Sequence, residues 1–187
     1  MRIISGQFRS RPIRALPGAA TRPTSGRLRE TLFDVLTAGH PEALAGSVWI
    51  DAFAGTGAVG LEALSRGARM VYFIESGRRA AAMIRRNLRA LRLSAGYEII
   101  TREALPGLRR LEEQGVACDF CFLDPPYRRA EAYTQVLEFL SHSRLLSPTG
   151  IVIAEHDKHF DPGERKGALQ RYRSLRQGDA VLSFYRG

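Results

Sequence analysis

Asp51 and the glycines that follow it, in DAFAGTGAVG, form the first constellation with chemical potential. Gly55, Gly57 and Gly60 have the spacing G-x-G-x-x-G, and Glu75 lies about twenty residues beyond. Between a strand and a helix, such a loop lets a nucleotide approach the backbone, and an acid ending the next strand can accept hydrogen bonds from ribose hydroxyls. On the glycines alone, a dinucleotide and S-adenosylmethionine are both open. Asp51 separates them, because its carboxylate would face the doubly charged pyrophosphate of a dinucleotide and repel it in a partly dry site. S-adenosylmethionine has an ammonium and a sulfonium and no phosphate, so an acid there suits it. The candidate cofactor residues are therefore Asp51, Ala52, Phe53, Gly55, Thr56 and Gly57, with Glu75 and Ser76.

The second constellation is Asp124-Pro125-Pro126-Tyr127. Two prolines stiffen the backbone and remove two donors, leaving the Asp124 side chain and the Pro125 carbonyl as acceptors. An exocyclic amine on a nucleobase is a poor nucleophile, because its lone pair is delocalised into the ring. Two acceptors that hold its hydrogens favour a pyramidal nitrogen with an available lone pair, and Tyr127 offers a face to an extruded base. The candidate catalytic residues are Asp124, Pro125 and Tyr127. An isolated Asp-Pro turn with a packed aromatic would look the same; the pairing with the upstream glycine loop favours the chemical reading.

These segments need a scaffold that brings them together. From Ser47 onward apolar runs alternate with amphipathic stretches: VWIDAF, GAVGLEALSRG, MVYFIE, GRRAAAMIRRNLRALRL, YEII, EALPGLRRLEEQG, CDFCFLD, EAYTQVLEFLSHS and GIVIAEH. Strands interleaved with helices predict a doubly wound α/β fold, a mostly parallel sheet with helices on both faces. In that fold the fourth strand lies beside the first at the switch point, so the glycine loop and Asp124 line one crevice. The end, LQRYRSLRQGDAVLSFYRG, predicts an antiparallel hairpin turning at Gln177, Gly178 and Asp179. Upstream, RLRETLFDVL places Leu28, Leu32, Val35 and Leu36 at helical spacing, with Thr24 or Ser25 as a candidate cap.

The chain has 187 residues, 44% of them hydrophobic, which suffices for one domain with an appended arm. We expect residues 1–20 to be a β-hairpin arm lying apart from the crevice, and residues 21–187 to be the main domain. A net charge of +9 favours a polyanionic partner. The basic residues concentrate early: Arg2, Arg9, Arg11, Arg14, Arg22, Arg27 and Arg29 precede or adjoin Glu30, the first acid. All but Arg29 are candidate nucleic-acid contacts. No apolar run is long enough for a membrane span or signal peptide, so a soluble cytoplasmic protein is expected.

Cys118 and Cys121 have C-x-x-C spacing inside an apolar strand, where simple alternation places residues three apart on opposite faces. They are expected to be core thiols. His156 and His159 are expected to be solvated loop residues, Glu155 is a candidate to face the crevice, and no metal site is expected. The arginine face of the helix over 77–93 is expected to be a solvated surface.

Taken together, RIISGQFRSRPI, RPTSGRLRETLFDVL, DAFAGTGAVGLEALSRGA, VYFIE, DPPY and GDAVLSFYR make the chain similar to the bacterial 16S ribosomal RNA guanine N2-methyltransferases that act on the small subunit. The resemblance covers nearly the whole chain. It implies a Rossmann-like methyltransferase sheet of seven strands, S-adenosylmethionine as cofactor, and an arm that grips 16S rRNA, with an assembling small subunit as partner and a monomeric enzyme. It also implies that an acid after the third strand approaches the adenine, which here points to Glu103 with Ala104. Gly26 stands where such proteins often have an acid.

Overall fold

The computed structural model describes residues 1–16, 26–126 and 129–187. Five helices and eight strands follow in the order α1 (Gly26–Thr37), β1 (Val48–Asp51), α2 (Ala58–Ser65), β2 (Met70–Ile74), α3 (Arg78–Ala90), β3 (Tyr97–Ile100), α4 (Ala104–Glu113), β4 (Cys118–Leu123), α5 (Ala130–His142), β5 (Leu146–Asp157), β6 (Arg165–Lys166), β7 (Leu169–Gln177) and β8 (Ala180–Arg186). The candidate cap at Thr24 or Ser25 lies outside the described residues.

One sheet runs β3-β2-β1-β4-β5-β8-β7-β6. The strands from β1 to β5 pair in parallel, and β8 adds antiparallel to β5. The doubly wound expectation is met, with β1 flanked by β2 and β4 and the chain reversing its direction of travel across the sheet there. The sheet has eight strands rather than seven, because Arg165 and Lys166 pair with Gln170 and Leu169 at the edge. Two residues leave too little periodicity to read. The closing hairpin forms as predicted, with Gln177 opposite Ala180.

Alternation along the buried strands sends side chains to two cores. Trp49, Phe73, Phe122 and Phe184 join the core under α1, α2 and α3, whereas Ile50, Ile74, Cys121 and Leu123 join the core under α4 and α5. Trp49 stacks between Phe33 of α1 and Phe120 of β4, at centroid distances of 5.4 and 5.0 Å. Such aromatic contacts add to the burial of three large side chains.

Two expectations about individual residues need correction. Cys118 does not lie opposite Cys121: both pack in the core under α4 and α5, because the pairing of β4 with β5 is irregular between Cys118 and Phe120. A bulge breaks the strict period of two. Both are free thiols, and burial pushes Cys118 up to about 12 and Cys121 further from reactivity. His156 is also not a solvated loop residue. It is buried within β5, its Nε2 is 2.9 Å from Ser183 Oγ, and its ring meets Tyr133 and Phe160 edge-on. Burial pushes its imidazole below the ordinary value. His159 is exposed, as expected, and so are Arg85, Arg86 and Arg89 on α3.

The arm is shorter than a hairpin of two strands. One antiparallel bridge joins Arg2 to Pro12, and turns fill the space between. It is docked against the body, with Ile3 and Ile13 buried in the core under α1 to α3. No described helix is long and apolar enough to cross a membrane.

Candidate active site

The C-terminal edges of β2, β1 and β4 hold three acids side by side. Asp51 is level with Phe73 of β2 and with Phe122 of β4, and Glu75 and Asp124 follow those residues by two positions. Neighbouring strands lie about 4.8 Å apart, so the three carboxylates belong to one crevice.

The glycine loop crosses this edge and turns into α2. Gly57 has φ of 81°, a left-handed conformation that disfavours other residues. Gly60 serves close packing instead, since a Cβ there would stand 2.3 Å from the Phe73 ring. Backbone donors of the loop already have partners. The Gly55 N–H donates to Glu75 at 2.8 Å, and the Gly60 N–H donates to Asp51 at 3.0 Å. The second Glu75 oxygen accepts from the Gly77 N–H at 2.6 Å.

Asp51 is buried, and burial pushes its carboxyl up to about 7; the Gly60 N–H opposes this and the charge of Glu75 reinforces it. A ligand ammonium beside Asp51 would supply a counter-charge. Glu75 is half-buried, and its oxygens keep lone pairs that could accept ribose hydroxyls. The residues thus fit the nucleoside and amino-acid parts of S-adenosylmethionine, and they oppose a pyrophosphate, whose usual backbone donors here serve carboxylates.

The remaining sequence candidates are placed as follows. Ala52 is buried, with its N–H bonded to Phe122 O at 3.0 Å, and Phe53 is half-buried beside the core under α4 and α5. Thr56 is half-buried and Ser76 exposed. Ala104 is buried at the start of α4, while Glu103 is exposed and pairs with Arg129 at 2.9 Å. That pair links the loop after β3 to the loop after β4. Asp124 is half-buried and Pro125 buried; Tyr127 and Arg22 lie outside the described residues. Among the other candidate RNA contacts, Arg2, Arg9, Arg11, Arg14 and Arg27 are all exposed. Arg2 donates to Ser10 O at 3.0 Å and Arg11 to Ala90 O at 2.8 Å, so both also brace the arm. Glu155 is buried at the end of β5, where its carbonyl accepts a hydrogen bond from the Tyr133 hydroxyl at 2.5 Å.

Over residues 1–186 the chain matches the family described as Conserved hypothetical protein 95. It belongs to that family. YlbH of Bacillus subtilis is 29% identical over 186 residues, covering 100% of this chain and 98% of the relative. The ribosomal RNA small subunit methyltransferase D of Haemophilus influenzae is 35% identical over 159 residues, which is 84% of this chain and 79% of the relative. Among solved structures, yhhF of Escherichia coli superposes with a TM-score of 0.82 at 27% identity, covering 99% of this chain and 96% of that one. The family match and the YlbH alignment extend through the arm.

Two buried polar residues, one beside the glycine loop and one under the arm, escaped the sequence reading, and each carried a signal. Asn87 is a polar residue on the apolar face of α3, between Ile84 and Leu91. It is buried and donates to Thr56 O at 3.0 Å. Glu62 is the lone acid in α2, a helix buried on every side, where a charge must have partners.

Proposed function

We propose that this chain transfers a methyl group from S-adenosylmethionine to the exocyclic N2 amine of a guanine in 16S ribosomal RNA. The observation that carries the reading is the state of the glycine loop: its Gly55 and Gly60 donors are committed to Glu75 and Asp51, so the strand edge offers carboxylates, which suit a cationic nucleoside ligand, rather than free phosphate donors. The name of the Haemophilus relative supports ribosomal RNA as the substrate. The exposed arginines of the arm suit a polyanion, and an assembling small subunit in the cytoplasm is the proposed setting, with the protein acting as a monomer.

When bound, S-adenosylmethionine would supply an electrophilic methyl group and leave as the neutral thioether S-adenosylhomocysteine; Asp51 would hold its ammonium and Glu75 its ribose, with Glu103 and Ala104 beside its adenine. The protein's own part is alignment. Asp124 and the Pro125 carbonyl accept the amine hydrogens and turn the nitrogen lone pair toward the methyl carbon, while Tyr127 stacks on the extruded base. The nitrogen then loses a proton, to water or to the Asp124 carboxylate, and no metal is needed.

The test is to incubate the protein with methyl-labelled cofactor and small subunits lacking the modification, then map the label by mass spectrometry. Label on a guanine N2 is the expected result. Label on an adenine N6 would replace the base assignment, and absence of transfer would refute the enzyme.

A further inference from the structure

We infer that Asn87 is a positioning residue that joins the N-terminal arm to the glycine loop, so that RNA held by the arm and cofactor held by the loop strengthen each other's binding. The inference rests on the function proposed above.

One side-chain amide makes all the connections. Asn87 Oδ1 accepts from the Arg14 N–H at 2.9 Å, and Asn87 Nδ2 donates to Arg14 O at 3.1 Å. The amide therefore pairs with Arg14 as a neighbouring strand would. Its other N–H donates to Thr56 O at 3.0 Å. Thr56 stands between Gly55 and Gly57, both at positive φ. From the arm to the ribose acid, the chain of contacts is Arg14, Asn87, Thr56, Gly55 and Glu75.

Packing alone does not call for an amide here. The rest of this face of α3 is apolar, through Ala80, Met83, Ile84 and Leu88, and a leucine at 87 would continue it. What the amide adds is satisfaction of three backbone groups from two other segments, groups that would be costly to leave unpaired in a buried place. The arm grips the same helix one turn further on, where Arg11 donates to Ala90 O. A ligand that fixes Arg14 therefore fixes the Asn87 amide, and with it the carbonyl inside the cofactor loop. Linkage makes the effect reciprocal: the loop, once ordered by its ligand, holds the arm in its RNA-binding position.

Arg14 and Thr56 share one side chain.

The test is calorimetry of S-adenosylhomocysteine binding with and without a saturating unmodified 16S rRNA transcript. In the wild-type protein the RNA should tighten binding by about fivefold or more, the lower end of ordinary couplings. In Asn87→Ala each ligand should still bind alone, and the tightening should fall below about twofold. Arg14→Pro provides a second route, because it deletes the Arg14 N–H without touching α3 or the loop. Arg14→Ala is its control: it keeps that N–H, so it should weaken RNA binding yet retain the coupling once RNA saturates. Full coupling in Asn87→Ala or in Arg14→Pro overturns the inference, as does a wild-type protein that binds both ligands independently. A wild-type protein that binds no S-adenosylhomocysteine refutes the proposed function instead, and this inference with it.

Discussion

Replacing Glu62 with alanine should loosen the N-terminal arm and destabilise the protein by about 4 kcal/mol. Glu62 is buried in α2, where it accepts from three donors and has the Arg29 guanidinium beside it as an ion-pair neighbour. The backbone N–H groups of Ile4 and Ser5 reach its two oxygens at 2.8 and 2.9 Å, Arg66 Nε lies at 2.9 Å and Arg29 Nε at 3.6 Å. Hydrogen bonds to a charged group contribute ~1.5–3 kcal/mol each, and removing one partner of a buried ion pair costs ~3–5 kcal/mol, because the other charge stays behind. Arg66 is 12% exposed and recovers some hydration, but Arg29 is 1% exposed and cannot. Burial already lowers the Arg29 pKa, and Glu62 is the charge that opposes this. These bonds share one carboxylate and do not add, so the middle of the ion-pair range, ~4 kcal/mol, is the expected loss.

For a chain of this size 1 kcal/mol shifts the melting temperature by about 2–4 °C, so a drop of roughly 8–16 °C is expected. Two assays together separate the arm from the body. Thermal unfolding reports the total, and amide hydrogen exchange should show Ile4 and Ser5 losing protection well before the β1 and β4 amides. Glu62→Gln keeps the volume and one carbonyl acceptor, so its loss should be smaller. A melting temperature within about 3 °C of wild type for Glu62→Ala would refute the reasoning, because it would mean that Arg29 finds other solvation and the arm does not depend on this acid.

Three further outcomes follow from the site. Asp51 binds its proton more tightly when folded, up to about 7 against 3.8, so the ligand-free protein should lose stability as pH rises from about 4 to 7, by up to roughly 4 kcal/mol. Asp51→Asn should flatten that slope in pH-dependent melting, and it should abolish the proton release that accompanies S-adenosylhomocysteine binding near pH 6.5 in calorimetry. Arg9→Ala and Arg14→Ala should each reduce the salt slope of RNA binding by about one unit, measured by titration at several salt concentrations; an unchanged slope would make these charges a solvated surface. Asp124→Ala should lower the single-turnover methyl-transfer rate by ~10²-fold or more with little change in RNA affinity, whereas near-normal turnover would move the chemistry elsewhere.

The order of elements, the glycine loop and the acids at the ends of β1, β2 and β4 were legible because each depends on local pattern: apolar runs, period 3.6 and turn residues. What escaped depends on pairing across the chain. The contacts of Ile4 with Glu62 and of Arg14 with Asn87 span 58 and 73 residues, and nothing near either partner in sequence announces the other. His156 was misplaced because a polar segment, EHDKH, reads as loop, whereas β8 extends alongside it and Ser183 supplies a buried hydrogen bond. Cys118 was misplaced because alternation assumes a regular strand, and β4 is irregular at Asp119, whose carboxylate accepts the Val48 N–H at 2.8 Å. Arg29 shows the limit of charge counting: it belongs to the same basic run as Arg27, yet its guanidinium donates to Arg2 O at 2.6 Å inside the protein.

The arm divides its backbone from its side chains, and that division explains how a strongly basic segment can be both fixed and available. Its backbone donors are taken up by the body: Ile4 and Ser5 by Glu62, Gln7 by Ser65 O, Phe8 by Ser65 Oγ and Arg14 by Asn87. Its apolar anchors, Ile3 and Ile13, are buried. The Arg9 and Arg14 side chains are left exposed. Exposed charges are screened by salt, with a Debye length of ~8 Å at physiological ionic strength, but the buried contacts at Glu62 are screened far less. In the proposed function, RNA dissociates as salt rises while the arm stays docked, and the next RNA meets a preorganised surface rather than a chain that must be ordered on binding. Through Asn87 the same docking reaches the glycine loop, so in the proposed function the arm is held in register with the crevice.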